Sequence, residues 1–520
     1  MIPISLLIFI VVCGVVNISQ CAKILCVFQM PSNSHQVVFQ PVWRELSLRG
    51  HQVTVLTSAP LKDPTLVNLT EIDLGYLREI LTDKFNFIQT NSVRAWPHRK
   101  IEEVYKMNYL LAERILKNEQ FKKIYQNPNT KFDLIIIQSY VGPIFHALGE
   151  IYNAPVVAIN SMNAFIGQHF EIGNPHHPAV YTDMYTEYQG ELTFLERWHS
   201  TFYYLWARYF IYFEGMPKSD AIARKYLGND IPYLGESVKK LSFLFTTTNP
   251  TLIVPRPQVP THMEIGRLHL KPTKPLPKDY QDYLDNAKEG VVYVSLGSNV
   301  LSSMVPEKFR SNLIEALGKI PYKVLWKYEA DNLKNLPKNI LTKKWVPQQD
   351  VLAHPNVKGF VMQCGLQSLE EAFSRNVPVI CCPFISDQLM HIKRLEKIEA
   401  AIGINPDNVS VDEFKSAIME IINNKKYKEN VKKINDLWND EPMKPLEKVI
   451  WWIEYVIRHN GTSHLKSPTA TLPWYQFFLV DVISATLLVF FMPIYLLYLL
   501  FNKCCASNKK ITSKKQKKEQ

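Results

Sequence analysis

The sequence predicts an α/β protein of two Rossmann-like domains that face each other across a cleft, with one transmembrane helix behind them. Three observations predict it. Short runs that are apolar on both faces alternate with helical segments in two successive series, as in parallel sheets covered on both sides. Seven prolines between Pro250 and Pro277 separate the series, and so dense a run suits neither a helix nor a central strand. A long apolar stretch over residues 474–501 is followed at once by lysines.

In chain order, residues 2–16 are apolar and uncharged. They fall short of the about 20 apolar residues that a spanning helix needs, so residues 1–21 read as a signal peptide cleaved before Ala22. The first series places strands at residues 23–29, 52–57, 132–138, 155–160 and 242–248, in a domain over 22–250. A proline-rich linker follows over 251–285. The second series places strands at residues 291–297, 323–328, 340–345, 358–363 and 378–384, with a helix over 308–317, in a domain over 286–440. Residues 441–473 carry a helix that returns to the body, with Val449, Trp452, Ile453 and Val456 at helical spacing. The transmembrane helix covers 474–501. Trp474 and Tyr475 sit where interfacial aromatics belong, and Asp481 lies near one end, where a charge costs less than at the bilayer centre. A lysine-rich tail closes the chain over 502–520.

The net charge is +11, and seven lysines against one glutamate in the last eighteen residues supply +6 of it. A nucleic-acid face needs its charge on the folded domain, so that class is set aside. The same lysines place the tail in the cytosol and the body in the lumen. Lys517 and Lys518 resemble the dilysine retrieval signal of endoplasmic reticulum membrane proteins. On the lumenal side stand Cys26, Cys364, Cys381 and Cys382, none at zinc spacing, and no metal site is expected. Cys26, Cys381 and Cys382 lie in apolar runs and read as buried thiols rather than a disulfide framework. Asn68, Asn408 and Asn460 begin glycosylation sequons.

The chemistry concentrates in residues 345–388, where Trp345, Pro347, Gln348, His354, Pro355, Phe360, Gly365, Ser368, Glu371, Ala372, Pro378, Pro383, Asp387 and Gln388 recur at fixed spacing. This stretch resembles the donor signature of the UDP-glycosyltransferase family, most closely the membrane-bound glucosyl- and glucuronosyltransferases of animals, arthropod-like members included. The resemblance implies a GT-B fold with the acceptor in the first domain and a UDP-sugar in the second. It also implies roles that the residue types suit. Trp345 offers an indole face for uracil, Gln348 a hydrogen bond to the nucleoside, and Glu371 an acceptor for the ribose hydroxyls. Gly365 lets the backbone approach a diphosphate at a helix N-terminus. Ser298 and Ser368 donate to phosphate oxygens, and Asp387 and Gln388 read sugar hydroxyls.

His35 follows the first strand, where the resemblance puts the catalytic base, and an imidazole suits that task at neutral pH. The chain departs from the family at three places, one of them Met362-Gln363-Cys364 where threonine, histidine and usually glycine stand. Gln138 stands where an aspartate often orients the base. Gln363 stands where a diphosphate-binding histidine is usual, which exchanges a charge-assisted bond for a weaker neutral one. The expected reaction is inverting transfer of a hexosyl group, with UDP-glucose preferred as co-substrate, no other cofactor, and a small lipophilic acceptor. A weakened member that binds ligand or partner stays open as the alternative, and a homo-oligomer is compatible with the chain. The aromatic segment 194–216 suits an acceptor pocket wall, a membrane leaflet or plain core.

Overall fold

The computed structural model describes residues 21–80, 95–140, 142–188, 190–331, 333, 335–385 and 387–516. The signal-peptide core and the dilysine pair lie outside them.

The first sheet has seven parallel strands in the order β3-β2-β1-β4-β5-β6-β7. They are β1 (Lys23–Val27), β2 (Gln52–Thr57), β3 (Leu69–Asp73), β4 (Leu134–Gln138), β5 (Val156–Asn160), β6 (Phe243–Thr246) and β7 (His262–Glu264). The second sheet has six parallel strands in the order β10-β9-β8-β11-β12-β13. They are β8 (Val291–Ser295), β9 (Lys323–Lys327), β10 (Ile340–Lys343), β11 (Val357–Met362), β12 (Val379–Cys381) and β13 (Ala401–Gly403). In both sheets the strand order reverses beside the first strand, between β1 and β4 and between β8 and β11. Crevices at such reversals are where doubly wound sheets bind ligands.

Two expectations change. The segment read as a proline-rich linker supplies β7, the edge strand of the first sheet, and the helix Lys278–Asp285. An edge strand tolerates flanking prolines because one side of it needs no partner. Cys364 and Cys381 are not free thiols. They form a disulfide with Cα atoms 5.1 Å apart, which joins the end of β12 to the turn after β11. Cys26 and Cys382 are free and buried.

The helix Pro445–Arg458 leaves the second domain and packs on the first. Its Val449, Ile450, Ile453 and Val456 are fully buried in one core with Ile24 and Cys26 of β1. At about 1.5–3 kcal/mol per buried side chain this contributes roughly 6–12 kcal/mol of gross stabilisation, an upper bound because unfolded chains already bury part of that surface. The aromatic segment forms the helix Phe194–Phe210. One face buries Tyr203, Tyr204 and Ala207, while Phe194, Trp198, Phe202 and Tyr209 are exposed. Residues 467–520 form a separate unit. Within it the segment Val480–Cys504 has a mean hydropathy of 2.2 and is long and apolar enough to cross a membrane.

Candidate active site

Residues after the carboxyl ends of strands from both sheets line one cavity of about 90 Å3. His35 comes after β1, Tyr140 after β4, Ser161 after β5, Ser298 after β8, Gln363 after β11 and Asp387 after β12. Hydrogen bonds tie the sheets together here, a long one from Asn299 Nδ2 to Ser34 Oγ at 3.5 Å among them. Ser32 Oγ donates to Asn299 Oδ1 at 2.7 Å, and Gln367 Nε2 donates to the Ser161 carbonyl at 2.7 Å.

On the first sheet, the His35 ring is buried and its Nδ1 is hydrogen-bonded to Ser161 Oγ. With Nδ1–H donating, the lone pair sits on Nε2, which makes no hydrogen bond among the described residues. Burial pulls the His35 pKa down to about 4 against the opposing pull of Asp387, so the ring is neutral at pH 7 and free to accept a proton. Gln138 does not reach His35. Its Oε1 accepts the Met30 backbone N–H at 2.9 Å and holds the loop after β1, while its Nε2 is buried without a partner among the described residues. The group that meets the ring is the Ser161 hydroxyl, one strand further along. Its place just after the carboxyl end of a buried parallel strand was the available signal for it.

On the second sheet, Trp345 is 69% exposed, with its ring face open. Gln348 Nε2 donates to Glu371 Oε2 at 2.6 Å and to Ser368 Oγ at 3.0 Å, while the Tyr293 hydroxyl donates to Gln348 Oε1 at 3.1 Å. Two residues missed in the sequence complete this cluster. Gln349 Nε2 donates to Glu371 Oε1 at 3.0 Å. The buried His269 has Nε2 at 3.4 Å from Glu371 and Nδ1 at 3.6 Å from Glu370. Burial works to lower the His269 pKa, but the bond and charge of Glu371 and the charge of Glu370 outweigh it and raise the pKa. No sequence pattern marked His269, which sits in the supposed linker.

Gly365 caps the helix Leu366–Ser374, whose first N–H groups open toward the cavity. Cys364 just before it has φ +68°. That left-handed conformation costs a side-chain-bearing residue about 1–2 kcal/mol, which accounts physically for the glycine usual there. Gln363 Oε1 accepts from Gln388 Nε2 at 2.9 Å. Gln388 Oε1 in turn accepts the backbone N–H groups of Phe384 and Ile385 at 2.7 and 3.0 Å. Gln388 is therefore a loop clamp as much as a ligand-facing group. Ser298 is exposed at the rim, and Asp387 lies 3.6 Å from His391.

Residues 22–519 match the family model described as UDP-glucoronosyl and UDP-glucosyl transferase. The chain belongs to this family. It is 32% identical over 474 residues to UDP-glucosyltransferase 2 of Dactylopius coccus, covering 90% of each protein. It is 31% identical over 490 residues to UDP-glucuronosyltransferase 1-2 of Mus musculus, covering 91% of this chain and 89% of the other. The fold is similar to that of Phytolacca americana UGT2, solved with UDP-2fluoro-glucose and pterostilbene. The TM-score is 0.54 at 16% identity, over 84% of this chain and 99% of that one. The transferase thus has the GT-B architecture, and its family activity is transfer of a sugar from a UDP-sugar.

Proposed function

We propose that this transferase moves glucose from UDP-glucose onto a hydroxyl of a small lipophilic acceptor, with inversion, on the lumenal side of the endoplasmic reticulum membrane. One observation carries the reading. His35, with Nδ1 fixed by Ser161, shares a cavity with the helix N-terminus at Gly365. The acceptor O–H gives its proton to Nε2, the oxygen bonds to the anomeric carbon, and the bond from that carbon to the diphosphate breaks. The N–H groups after Gly365, with Ser298, Ser368 and Gln363, are placed to offset charge on the departing diphosphate. Trp345 stacks on uracil, Gln348 and Glu371 hold the nucleoside, and Asp387 reads the sugar.

Ser161 weighs against the weakened-protein alternative, because His35 keeps an orienting partner without an aspartate at position 138. The three sequon asparagines, Asn68, Asn408 and Asn460, are all exposed, as a lumenal body requires. The test is UDP release by the full-length chain in microsomes with UDP-glucose and a panel of phenols. Replacing His35 with alanine should lower the rate by at least about a hundredfold. An unchanged rate refutes the reading.

A further inference from the structure

A buried lysine stands in the large cleft between the domains, and the chemistry above makes no use of it. Lys100 belongs to the helix Pro97–Leu116 and is 3% exposed. It lines a cleft of about 1290 Å3. Lysines are almost never so buried unless paired, yet the Lys100 ammonium has no hydrogen bond or ion pair among the described residues. Glu187, Asp183 and Asp387 act on it through space, but Glu187 and Asp183 are bonded elsewhere. Glu187 pairs with Lys393 at 3.1 Å. Asp183 accepts from the Ile166 and Tyr185 backbone N–H groups and the Tyr203 hydroxyl, and Asp387 lies 3.6 Å from His391. The protein offsets only part of the cost of burying this ammonium. Burial pulls its pKa down to about 8 against the three carboxylates.

Lys100 and the reacting centre share neighbours. Asp387 acts on both Lys100 and His35. Tyr185 of the cleft wall bonds the hydroxyl of Tyr140, whose ring lies 5.8 Å from His35. Around Lys100 the wall is aromatic, with Trp96, Tyr188, Trp198 and Phe384. We propose that the cleft takes an aromatic acceptor that carries a carboxylate, which Lys100 pairs with while the acceptor's hydroxyl meets His35. The proposal rests on the transferase reading and adds the acceptor's charge. A uronic acid on the donor would present the same carboxylate. The aromatic lining favours the acceptor, as does the place of Lys100 outside the cavity of Gly365 and Ser368.

The experiment measures kcat/KM of the full-length chain in microsomes for para-hydroxycinnamate and its methyl ester, each with UDP-glucose and with UDP-glucuronate. The acid should be preferred. Lys100→Met should lower kcat/KM for the acid about tenfold or more while the ester changes less than about twofold, and Lys100→Arg should restore most of the loss. The ester reports that the variant is folded and its transfer chemistry intact. A wild type that uses acid and ester equally, or a variant that loses both equally, overturns the proposal and leaves the transferase reading standing. Loss confined to UDP-glucuronate with either acceptor also overturns it, since Lys100 then reads the donor. Failure of the wild type on both probes while other phenols react counts the same way. Failure on every acceptor defeats the transferase reading itself.

Discussion

Replacing Ser161 with alanine isolates the orientation of the base from everything else at the site. The Ser161 side chain bonds His35 Nδ1, while its backbone carbonyl, which the substitution leaves in place, accepts from Gln367. The variant therefore strands one buried imidazole N–H and nothing on the donor side. A buried donor without an acceptor costs about 1–3 kcal/mol. Borne by the tautomer that keeps Nε2 free, that cost lowers kcat roughly 5- to 100-fold, with KM for the UDP-sugar unchanged. A pH profile separates orientation from mere packing. The base works when neutral, so the rate falls as pH drops through its pKa, which burial sets near 4 in the wild type. Ser161→Asp puts a carboxylate beside the ring, whose charge raises that pKa, and the acid limb of kcat/KM moves up toward neutrality. UDP release measured between pH 4 and 8 reads both effects. An alanine variant with wild-type kcat, or an aspartate variant with an unmoved limb, refutes the role given to Ser161.

Glu371→Gln keeps the shape of the carboxylate that Gln348, Gln349 and His269 surround but removes its charge. KM for the UDP-sugar should rise roughly 10- to 100-fold, and calorimetry with UDP checks it. The Cys364–Cys381 disulfide closes a loop of sequence separation 17, so reduction should cost about 3 kcal/mol, seen as a lower melting temperature and weaker UDP binding. His146 is buried with neither ring nitrogen bonded among the described residues, and burial holds its pKa near 3. Between about 6.5 and 3 the unfolded chain binds the proton and the folded one does not, so stability falls as pH falls through that window. The slope is at most about 1.4 kcal/mol per pH unit. His146→Phe should therefore melt less pH-dependently between pH 6.5 and 5, whereas parallel curves for wild type and variant would contradict this.

The buried strands were legible because burial on both faces leaves a continuous apolar run, as in the Leu-Ile-Ile-Ile of β4. The strands that escaped are at edges or very short. β3 reads Leu-Thr-Glu-Ile-Asp, polar at three of its five positions, and β7 and β13 have three residues each. A short edge strand buries too little to leave a pattern. In the site, Trp345, Gln348, Gly365, Ser368 and Glu371 lie within one segment, so their spacing alone brings them together. The partners of His35 come from distant strands. Position 138 was named from the family's habit, but the chain turns its Gln138 amide toward Met30. Only the register of β4 and β5 decides which residue meets the ring.

The placement of Ser161 also bears on how transfer outruns hydrolysis. The base belongs to one sheet and the donor helix to the other, so neither domain holds a complete site. Ser161 joins the two: its side chain fixes His35, and its carbonyl takes Gln367 Nε2 from the first turn of the donor helix. A separation of the sheets that broke the Gln367 bond would carry the helix N-terminus away from the base as well. Nε2 can then act on an acceptor beside the anomeric carbon only when the cleft is closed, which is also when water is kept from the sugar. The Ser32–Asn299 bond, three residues before His35 and one after Ser298, ties the same two loops at a second point. The hydrogen bonds across the cleft at this point are few enough to break for product release, and they lie within three residues of the chemistry they hold in place.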